Sequence, residues 1–248
     1  MYSARLLQKR LLSESAQCYH LEFDIPELEK FDFEAGQFIS MVSEDGRGKS
    51  QTRAYSIASA PRGNQFDLCL DRVNGGFFSN QLADEKPGAT IPFHGPYGLF
   101  VLRRPLVDSV LIATGTGIAP IKGFVETLFP SEEEDRSDEK HFWLVYGARH
   151  ASEIYYQHYF EKTAAEHANF HFLPTVTYPH DGWEGLRGNV DVHVKKVLLG
   201  DAGIDSSRGG AKPMQAYICG LNEMVAANRA QLKELGWDRK QIVFERYD

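Results

Sequence analysis

The sequence of 248 residues has few cysteines, no long apolar run and no excess of positive charge. Three scattered cysteines, Cys18, Cys69 and Cys219, cannot form a disulfide framework and lack the spacing of an iron–sulfur ligand set. This cysteine usage indicates a reducing compartment and predicts a cytoplasmic protein. Because 34 Asp and Glu outnumber 27 Lys and Arg, the net charge of −7 argues against nucleic acid as a partner.

Other absences narrow the class of protein further. No stretch approaches the ~20 apolar residues of a membrane span, and residues 1–17 lack the apolar run of a signal peptide, so no membrane association is predicted. The nine histidines do not have the spacing of a ligand set, which predicts no metal site. Hydrophobic residues make up 42% of the chain, enough to bury a core.

The two halves of the chain differ in periodicity. The first contains short alternating segments separated by Gly and Pro, which predict an antiparallel β-barrel. After Pro105, apolar strand segments alternate with helical segments, which predicts an α/β domain with a doubly wound, parallel, five-stranded sheet. We therefore expect two domains, 1–103 and 106–248. The charged segment 131–140 and the Gly-rich segment 200–213 are predicted to be surface loops.

The individual elements follow from the same patterns. In the first half the predicted strands are 19–25, 36–42, 52–59, 65–73 and 89–95. In the second half the predicted strands are 107–114, 141–149, 169–177, 214–220 and 241–247. The predicted helices are 120–129, 152–167, 189–199 and 222–235.

The motif RAYSIAS, at 53–59, has the alternation of a barrel strand, with Tyr55 and Ile57 on one face. Its polar groups also suit a bound cofactor. Arg53 is suited to a diphosphate, Tyr55 to an aromatic ring system, and Ser56 to a hydrogen bond. The alternative is an ordinary barrel strand with one exposed arginine.

Two Gly-rich turns precede helical segments. In the first, adjacent Gly75 and Gly76 come before Ser79, and the turn is either a backbone anion site or a hairpin. In the second, a buried strand runs into the pattern G-x-G-x-x-P at Gly115 and Gly117. A strand, a Gly-rich turn and a helix in this order let a pyrophosphate approach a helix N-terminus.

Two further motifs lie at the ends of predicted strands. The segment YICGLNEM, 217–224, is another strand–turn–helix transition at the carboxyl end of a strand, where open α/β sheets bind ligands. Alternatively, Cys219 is only a small buried residue. The segment FERYD, 244–248, ends a strand with an aromatic, and the alternative is a strand docked for stability.

Taken together and in this order, the motifs resemble the ferredoxin–NADP reductase family of flavoproteins, of the bacterial ferredoxin or flavodoxin reductase type. The resemblance runs from about Gln37 to Asp248 and is carried by RAYSIAS, GGFFS, GTGIAP, YICGLNEM and FERY. It implies an FAD-binding barrel at 1–103 and an NAD(P)-binding α/β domain at 106–248.

The resemblance assigns FAD contacts in the first half. It implies that Arg53 contacts the FAD pyrophosphate, that Tyr55 stacks on the isoalloxazine, and that Ser56 lies beside flavin N5. Ala54 belongs to the same cofactor-binding strand. The residues implied at the diphosphate-binding turn are Gly75, Gly76, Phe78 and Ser79.

The resemblance also assigns the nicotinamide site. Cys219 and Gly220 match the family residues beside the nicotinamide, and Glu245 matches an acid near the flavin edge. Tyr247 matches the aromatic that shields the flavin until nicotinamide displaces it. The residues implied in the dinucleotide phosphate loop are Thr114, Gly115, Thr116 and Gly117. The catalytic residues implied are Ser56, Cys219, Glu245 and Tyr247.

The choice between NADH and NADPH depends on one departure from the family pattern. NADP-specific members usually carry an arginine for the 2′-phosphate after the third strand of the second domain, where this sequence has Tyr178. Arg187 lies one or two places off a second basic position, and Arg149 remains available as a cofactor contact. A 2′-phosphate prefers a bidentate, charged partner, so the sequence favours NADH slightly.

The implied activity is hydride transfer between NAD(P)H and FAD, with electrons passed to or from ferredoxin or flavodoxin as a separate carrier. The alternatives are the reductase component of an oxygenase, a free-flavin reductase, and a non-catalytic flavin-binding regulatory subunit. A C-terminal aromatic over the flavin ring, as implied for Tyr247, favours a retained FAD and argues against the free-flavin reductase. Ser56, Cys219 and Glu245 are all present, which argues against the regulatory subunit.

Acidic carriers need a basic docking surface. Because the net charge is −7, such a surface requires a local cluster of cations. Residues 1–105 hold 12 Lys and Arg against 13 Asp and Glu, whereas the remainder holds 15 against 21. A basic patch on the barrel half is one hypothesis, and scattered surface charge is the alternative. The candidate cations are Arg5, Lys9, Arg10, Arg47, Lys49, Arg62 and Arg72.

Overall fold

The computed structural model describes residues 1–44, 48–131, 133–200 and 214–247. The chain divides into two compact units. The first comprises residues 1–102 and 119–127, and the second comprises residues 103–118 and 128–248. Of the predicted loop 200–213, all but Gly200 lies outside the described residues, as do Arg47 and Asp248.

In the described part of the first unit, six strands form one antiparallel sheet in the order β4-β3-β6-β1-β2-β5. An isolated bridge between Ile57 and Leu68 connects the end of β4 with β5, so the sheet closes into the predicted barrel. The strands are β1 (Tyr2–Ser13), β2 (Cys18–Asp24), β3 (Phe38–Glu44), β4 (Ser50–Ser56), β5 (Gln65–Asp71) and β6 (Thr90–Tyr97). The barrel also carries the helix α1 (Phe77–Asp84).

The first strand, β1, is absent from the strands that the sequence predicts. Its register shifts between Leu6 and Gln8 and again between Leu11 and Ser13, so it lacks a strict two-residue alternation. The side chains of Leu7 and Leu11 are exposed, which further blurs the pattern. Pairing with β2 and β6, which the local sequence does not show, defines this strand.

Aromatic rings fill the centre of the barrel. Phe23, Phe31, Phe66 and Phe93 are buried, and the neighbouring rings have centroids 5.4–5.8 Å apart. Burial of one such side chain stabilises a fold by about 1.5–3 kcal/mol. The helix α2 (Ile118–Leu128) contributes its residues Ala119–Thr127 to this same unit.

The second unit contains the predicted doubly wound parallel sheet. Its strands lie in the order β10-β9-β8-β7-β11-β12 and all their described pairings are parallel. The strands are β7 (Ser109–Thr114), β8 (Phe142–Ala148), β9 (Phe170–Val176), β10 (Leu186–Arg187), β11 (Gln215–Leu221) and β12 (Ile242–Tyr247). The helices are α3 (Gln157–Glu166), α4 (Val190–Leu199) and α5 (Asn222–Glu234).

Both faces of the parallel sheet are covered. On one face, Val110 and Ile112 pack in a cluster with residues of α4 and α5, such as Val194 and Val225. On the other face, the ring of Phe160 in α3 lies 5.3 Å from that of Phe172 in β9. Strands covered on both faces read as continuous apolar runs, which is why the sequence identifies them.

Two details of this unit differ from the sequence-based expectation. The described sheet has six strands instead of five, because Leu186 and Arg187 pair with Thr175 and Val176 at its outer edge. Two residues are too few to produce a recognisable period. The helix predicted at 152–167 begins only at Gln157, since Tyr156 has φ = 58°, a left-handed conformation that a helix cannot include.

None of the helices in the described ranges is both long enough and apolar enough to cross a membrane.

His20 makes the barrel sensitive to acid. It is 4% exposed, and its Nε2 lies 3.4 Å from Glu22 and 3.7 Å from Asp67. Burial, followed by the positive charges of Lys122 and Arg10, lowers the pKa of His20 to about 3. Between pH 6.5 and 3 the unfolded chain therefore binds a proton that the folded protein does not, so stability is lost as the pH falls through this window.

We expect the free energy of unfolding to fall between pH 7 and pH 4.5 by about 2–3 kcal/mol through this histidine alone. Urea unfolding at both pH values should show a smaller loss in His20→Gln than in the wild type. His94→Gln, which replaces an exposed imidazole of the same barrel, serves as the control. An equal loss in the wild type and His20→Gln would contradict the assignment.

Candidate active site

The order of the parallel strands reverses at β7. Along the chain, the sheet grows from β7 through β8 to β10 on one side, and through β11 and β12 on the other. Open α/β sheets bind ligands beyond the carboxyl ends of the strands at such a point. Thr114 ends β7, and Cys219 of β11 pairs with Ala113, so the structure brings two predicted motifs together there.

Glycines allow these two strand ends to touch. A Cβ atom on Gly117 would overlap the carbonyl oxygen of Cys219, and one on Gly220 would lie 2.5 Å from Thr114 Oγ1. Gly220 has φ = +152°, which side-chain-bearing residues rarely adopt. The turn therefore lies directly against the end of β11, backbone to backbone.

A buried tyrosine fixes the start of the same turn. The hydroxyl of Tyr146, in β8, donates to the Gly115 carbonyl at 3.0 Å. Gly115 has φ = +53°, and a Cβ there would meet open space. Glycine at this position therefore allows the positive φ. It also leaves space beside the turn for a ligand such as a pyrophosphate.

The C-terminal strand adds the remaining predicted residues to this end of the sheet. Glu245 pairs in register with Cys219, and Tyr247 pairs with Leu221. Cys219 is buried, and burial followed by the charge of Glu245 raises the pKa of its thiol, while a hydrogen bond with Tyr247 acts in the opposite direction. At neutral pH the Cys219 side chain is thus an uncharged thiol.

The first unit holds the predicted FAD-binding strand. Arg53 and Ala54 are exposed, Tyr55 is half-buried and Ser56 is buried. Tyr55 packs against the core cluster of the barrel, and burial raises the pKa of its hydroxyl to about 12. Residue Arg53 is therefore at the surface, where a phosphate can reach it.

The Gly75–Ser79 turn is the predicted diphosphate-binding turn. A Cβ on Gly76 would lie 2.7 Å from Ser79 Oγ, and Gly75 has φ = +72°. Ser79 Oγ accepts from the Val73 amide at 3.0 Å, and Phe78 is buried. No side chain among the described residues caps the N-terminus of α1, so its first amides are open to an anion.

The candidate 2′-phosphate residues lie beyond β8 and β9. Arg149 and Tyr178 are exposed, and the Tyr178 amide donates to the Arg149 carbonyl at 2.8 Å. Arg187 points elsewhere, because its Nη2 donates to the Trp183 carbonyl at 2.6 Å. Of the two arginines weighed from the sequence, Arg149 is thus the one whose side chain has no such local partner among the described residues.

Two groups of residues escaped the sequence reasoning. Lys122 in α2 is 5% exposed and lies beside Glu126 and Asp67. A sequence signal existed, because Lys122 and Glu126 are oppositely charged residues four positions apart on an otherwise apolar helix. Arg229 and Arg246 both lie over the ring of Phe244. The Arg229 contact depends on how α5 packs on β12, so the local sequence does not signal it.

Within the described residues, no group of three or more His, Cys, Asp or Glu could hold a metal ion, and the expectation of no metal stays a prediction.

Comparison with known proteins agrees with these two units. Residues 3–102 match the oxidoreductase FAD-binding domain, and residues 111–230 match the oxidoreductase NAD-binding domain. Ferredoxin–NADP reductase B of Sorangium cellulosum is 36% identical over 251 residues, covering 100% of this chain and 98% of that protein. The chain belongs to the ferredoxin–NADP reductase-like family. The resemblance stated from the motifs is confirmed.

More distant members show the breadth of the family. The reductase component of phenol 2-monooxygenase from Pseudomonas is 31% identical over 95% of this chain, which spans 62% of that protein. A ferredoxin–NADP reductase structure from Neisseria gonorrhoeae with bound FAD and NADP has a TM-score of 0.76 at 24% identity, covering 98% of this chain and 97% of the other. The latter likeness supports the fold. Family membership makes this chain an FAD-dependent oxidoreductase that uses NAD(P)H.

The contact between Gly117 and Cys219 makes a specific prediction. Gly117→Ala forces the turn away from β11. We therefore expect the free energy of unfolding to fall by about 1–3 kcal/mol and the Kd for the dinucleotide to rise about tenfold or more. Gly236→Ala is the control, because Gly236 has φ = +85° in open space and its substitution costs about 1–2 kcal/mol of strain. Denaturant unfolding and titration with NADH and NADPH measure both effects. Unchanged nucleotide affinity in Gly117→Ala would refute the role of this turn.

Proposed function

We propose that this chain transfers hydride from NAD(P)H to FAD and exchanges electrons with ferredoxin or flavodoxin. Transfer between NAD(P)H, FAD and a separate carrier is the activity of the family to which the chain belongs. The observation that carries the proposal is the meeting of Thr114, Gly117, Cys219 and Gly220 at the point where the strand order reverses. Glu245, in register with Cys219, lies at the same end of the sheet.

In this proposal the barrel residues hold FAD. Arg53, with Ala54 beside it, and the amides at the start of α1 bind the diphosphate, and Ser56 orients the reactive edge of the isoalloxazine. FAD supplies a centre that accepts electrons in pairs and releases them singly, which links a nicotinamide to a one-electron carrier. Residues 1–103 would then form the FAD-binding domain and residues 106–248 the NAD(P)-binding domain.

The residues of the second unit position the nicotinamide nucleotide. The backbone of Thr114–Gly117 binds the phosphates, and Gly220 keeps the space beside Cys219 free of a side chain. The uncharged Cys219 thiol provides a wall that disfavours water and charge. Glu245 holds a proton or couples the acceptor at the edge of the site, and Tyr247 covers the flavin until nicotinamide arrives.

A modest preference for NADH follows from the nucleotide-binding residues. A 2′-phosphate gains most from a bidentate arginine. Tyr178 occupies the position where the family arginine is expected, and Arg187 already donates to Trp183. Arg149 is left as the partner for a 2′-phosphate, which supports weak discrimination. We also propose that the protein works in the cytoplasm, where thiols such as its three free cysteines stay reduced.

The test is anaerobic stopped-flow reduction of the FAD-loaded protein by NADH and by NADPH. We expect rapid loss of flavin absorbance with both donors and a higher kcat/KM for NADH. Ser56→Ala should retain FAD and be reduced about 10- to 100-fold more slowly, since it removes a single positioned hydroxyl at the reacting edge.

Two results would contradict the proposal. A bound flavin that neither nucleotide reduces would favour the regulatory flavin-binding subunit. A large preference for NADPH would remove the NADH assignment while leaving the hydride transfer intact.

The carrier is proposed to dock near the C-terminal strand instead of on the barrel. Four of the cations of the hypothetical barrel patch have local partners: Arg5 pairs with Asp24, Lys9 donates to the Ala83 and Glu85 carbonyls, Arg62 pairs with Asp67, and Arg72 pairs with Asp84. An acidic surface would have to compete with these partners for the same guanidinium and ammonium groups.

Two arginines of the second unit are different. The guanidinium carbon of Arg229 lies 3.8 Å from the centroid of the Phe244 ring, and that of Arg246 lies 5.5 Å from it. Across the described ranges, neither arginine forms an ion pair. Phe244 and Arg246 flank Glu245 on β12, at the open edge of the sheet. Two adjacent unneutralised guanidiniums suit a partner that presents carboxylates.

We expect Arg229→Gln/Arg246→Gln to raise the KM for a plant-type ferredoxin about tenfold at low salt and to flatten its salt dependence. Flavin reduction by NADH in the same variant should be unchanged. Arg10→Gln replaces an exposed arginine of the barrel as the control. A larger effect of Arg10→Gln would return the docking surface to the barrel.

A further inference from the structure

An ion pair between the buried Lys122 and the partly exposed Glu126 connects helix α2 to the chain that follows the predicted FAD-binding strand. Lys122 Nζ donates to the Ala58 carbonyl at 3.0 Å and pairs with Glu126 Oε1. The second oxygen of Glu126 accepts from the Ala60 amide at 2.9 Å. We call Lys122 and Glu126 the latch. Both of its ends bind main-chain atoms within four residues of Ser56.

The latched segment has further restraints on its backbone. Ile57 N donates to the Gln37 carbonyl at 2.9 Å, and Ala58 N donates to the Asp67 carbonyl at 2.8 Å. Gly123 of α2 lies so close that a Cβ atom would come within 2.8 Å of the Ser59 carbonyl. The helix therefore lies directly on this segment, and the latch binds the carbonyl of Ala58, a residue whose amide is also hydrogen-bonded.

The surroundings make the latch costly unless every member is satisfied. Asp67 is 2% exposed, lies 4.0 Å from Lys122 Nζ, and pairs with Arg62. His20, also buried in this cluster, stays neutral because burial and the nearby cations lower its pKa to about 3. Removing one partner from a buried charge cluster leaves another uncompensated, whereas an apolar contact would hold the helix without this cost. Unlike apolar packing, this ion pair makes directional hydrogen bonds to the Ala58 carbonyl and the Ala60 amide.

We propose that Lys122 and Glu126 are positioning residues that hold the Ala58–Ala60 backbone and thereby set the placement of Ser56 for flavin reduction. This proposal rests on the proposed function. Neither residue touches the cofactors in it. The latch acts through the two peptide groups it binds, and a displacement of about 1 Å at a reacting centre can lower a rate about 100-fold. Helix α2 also continues directly from the Gly115–Gly117 turn along the chain.

The test compares two i, i+4 Lys–Glu pairs. Lys122→Met and Glu126→Gln break the latch, while Lys162→Met and Glu166→Gln break a pair in α3 whose side chains are 58% and 53% exposed. We expect Lys122→Met to lower the limiting rate of flavin reduction about 10- to 100-fold, and the α3 variants to change it less than about twofold. Glu126→Gln keeps one oxygen and should fall between Lys122→Met and the wild type. The apparent Kd for NADH should stay within about threefold, because the latch is not a nucleotide contact.

A second readout does not depend on the reaction. Hydrogen exchange followed by mass spectrometry should show faster exchange in the peptide containing residues 58–62 for Lys122→Met and Glu126→Gln, with no change for the α3 variants. If Lys122→Met does not fold, the partly exposed Glu126→Gln carries the test.

Three outcomes would overturn the latch. One is an unchanged limiting rate together with a lower unfolding midpoint, which is the result for a merely structural pair. Another is an effect confined to the Kd for NADH. The third is equal exchange in all variants. A wild-type flavin that NADH and NADPH do not reduce is a different result, because it refutes the proposed function itself.

Discussion

The turn after β7 and the end of β11 meet at two glycines, Gly117 and Gly220, and the organisation of the parallel unit follows from that contact. Gly117 has no side chain to hold the Cys219 carbonyl at a distance, and Gly220 has none to displace Thr114. The amides of the turn and the end of a neighbouring strand therefore share one small volume. Pairing of β11 with β12 then brings Glu245 alongside Cys219. The turn and Cys219 become neighbours because these two glycines, Gly117 and Gly220, place no side-chain atoms between them.

In the barrel unit, the RAYSIAS motif is positioned by charged side chains. Charged side chains bind the chain at the end of RAYSIAS, through the Ala58 carbonyl and the Ala60 amide. Lys122 and Asp67 are buried, where an unpaired charge is costly, and each has a charged partner, Glu126 and Arg62 respectively. Such clusters tolerate little rearrangement, since moving one member leaves another unpaired. The two motifs are thus positioned by different interactions: GTGIAP by the close approach of glycines, and the end of RAYSIAS by hydrogen bonds from charged side chains.

The sequence predicts the elements whose pattern is local. The strand segments 107–114 and 141–149 contain the observed β7 and β8, because strands buried on both faces form continuous apolar runs. The strand β1 is missed because bulges break its alternation, and β10 because two residues carry no period. The glycines of GTGIAP are also visible in the sequence, and the structure gives each a reason: Gly115 has a positive φ, and Gly117 lies against the Cys219 carbonyl.

Features that depend on tertiary pairing are not visible in the sequence. In the sequence the barrel cations are available for docking, but in the structure Arg5 pairs with Asp24 of the neighbouring strand β2, and Arg62 pairs with Asp67. The cation–π contact between Arg229 and Phe244 joins residues of different elements and depends on how α5 crosses β12. Lys122 is an intermediate case. Its place on an apolar helix is a local irregularity, but its partners at residues 58 and 60 are known only from the fold.

The membership of Ala119–Thr127 in the barrel unit has a consequence for protein engineering. A fragment ending at residue 103 would contain every strand of the barrel but would lose the helix that satisfies the Ala58 carbonyl and the Ala60 amide. It would also expose the face of Phe100 that packs on Phe124. The barrel is therefore discontinuous in sequence, and a single cut cannot excise it intact. Chimaeras that exchange barrels between family members need to carry this helix with the barrel, or to match its lysine and glutamate to the recipient.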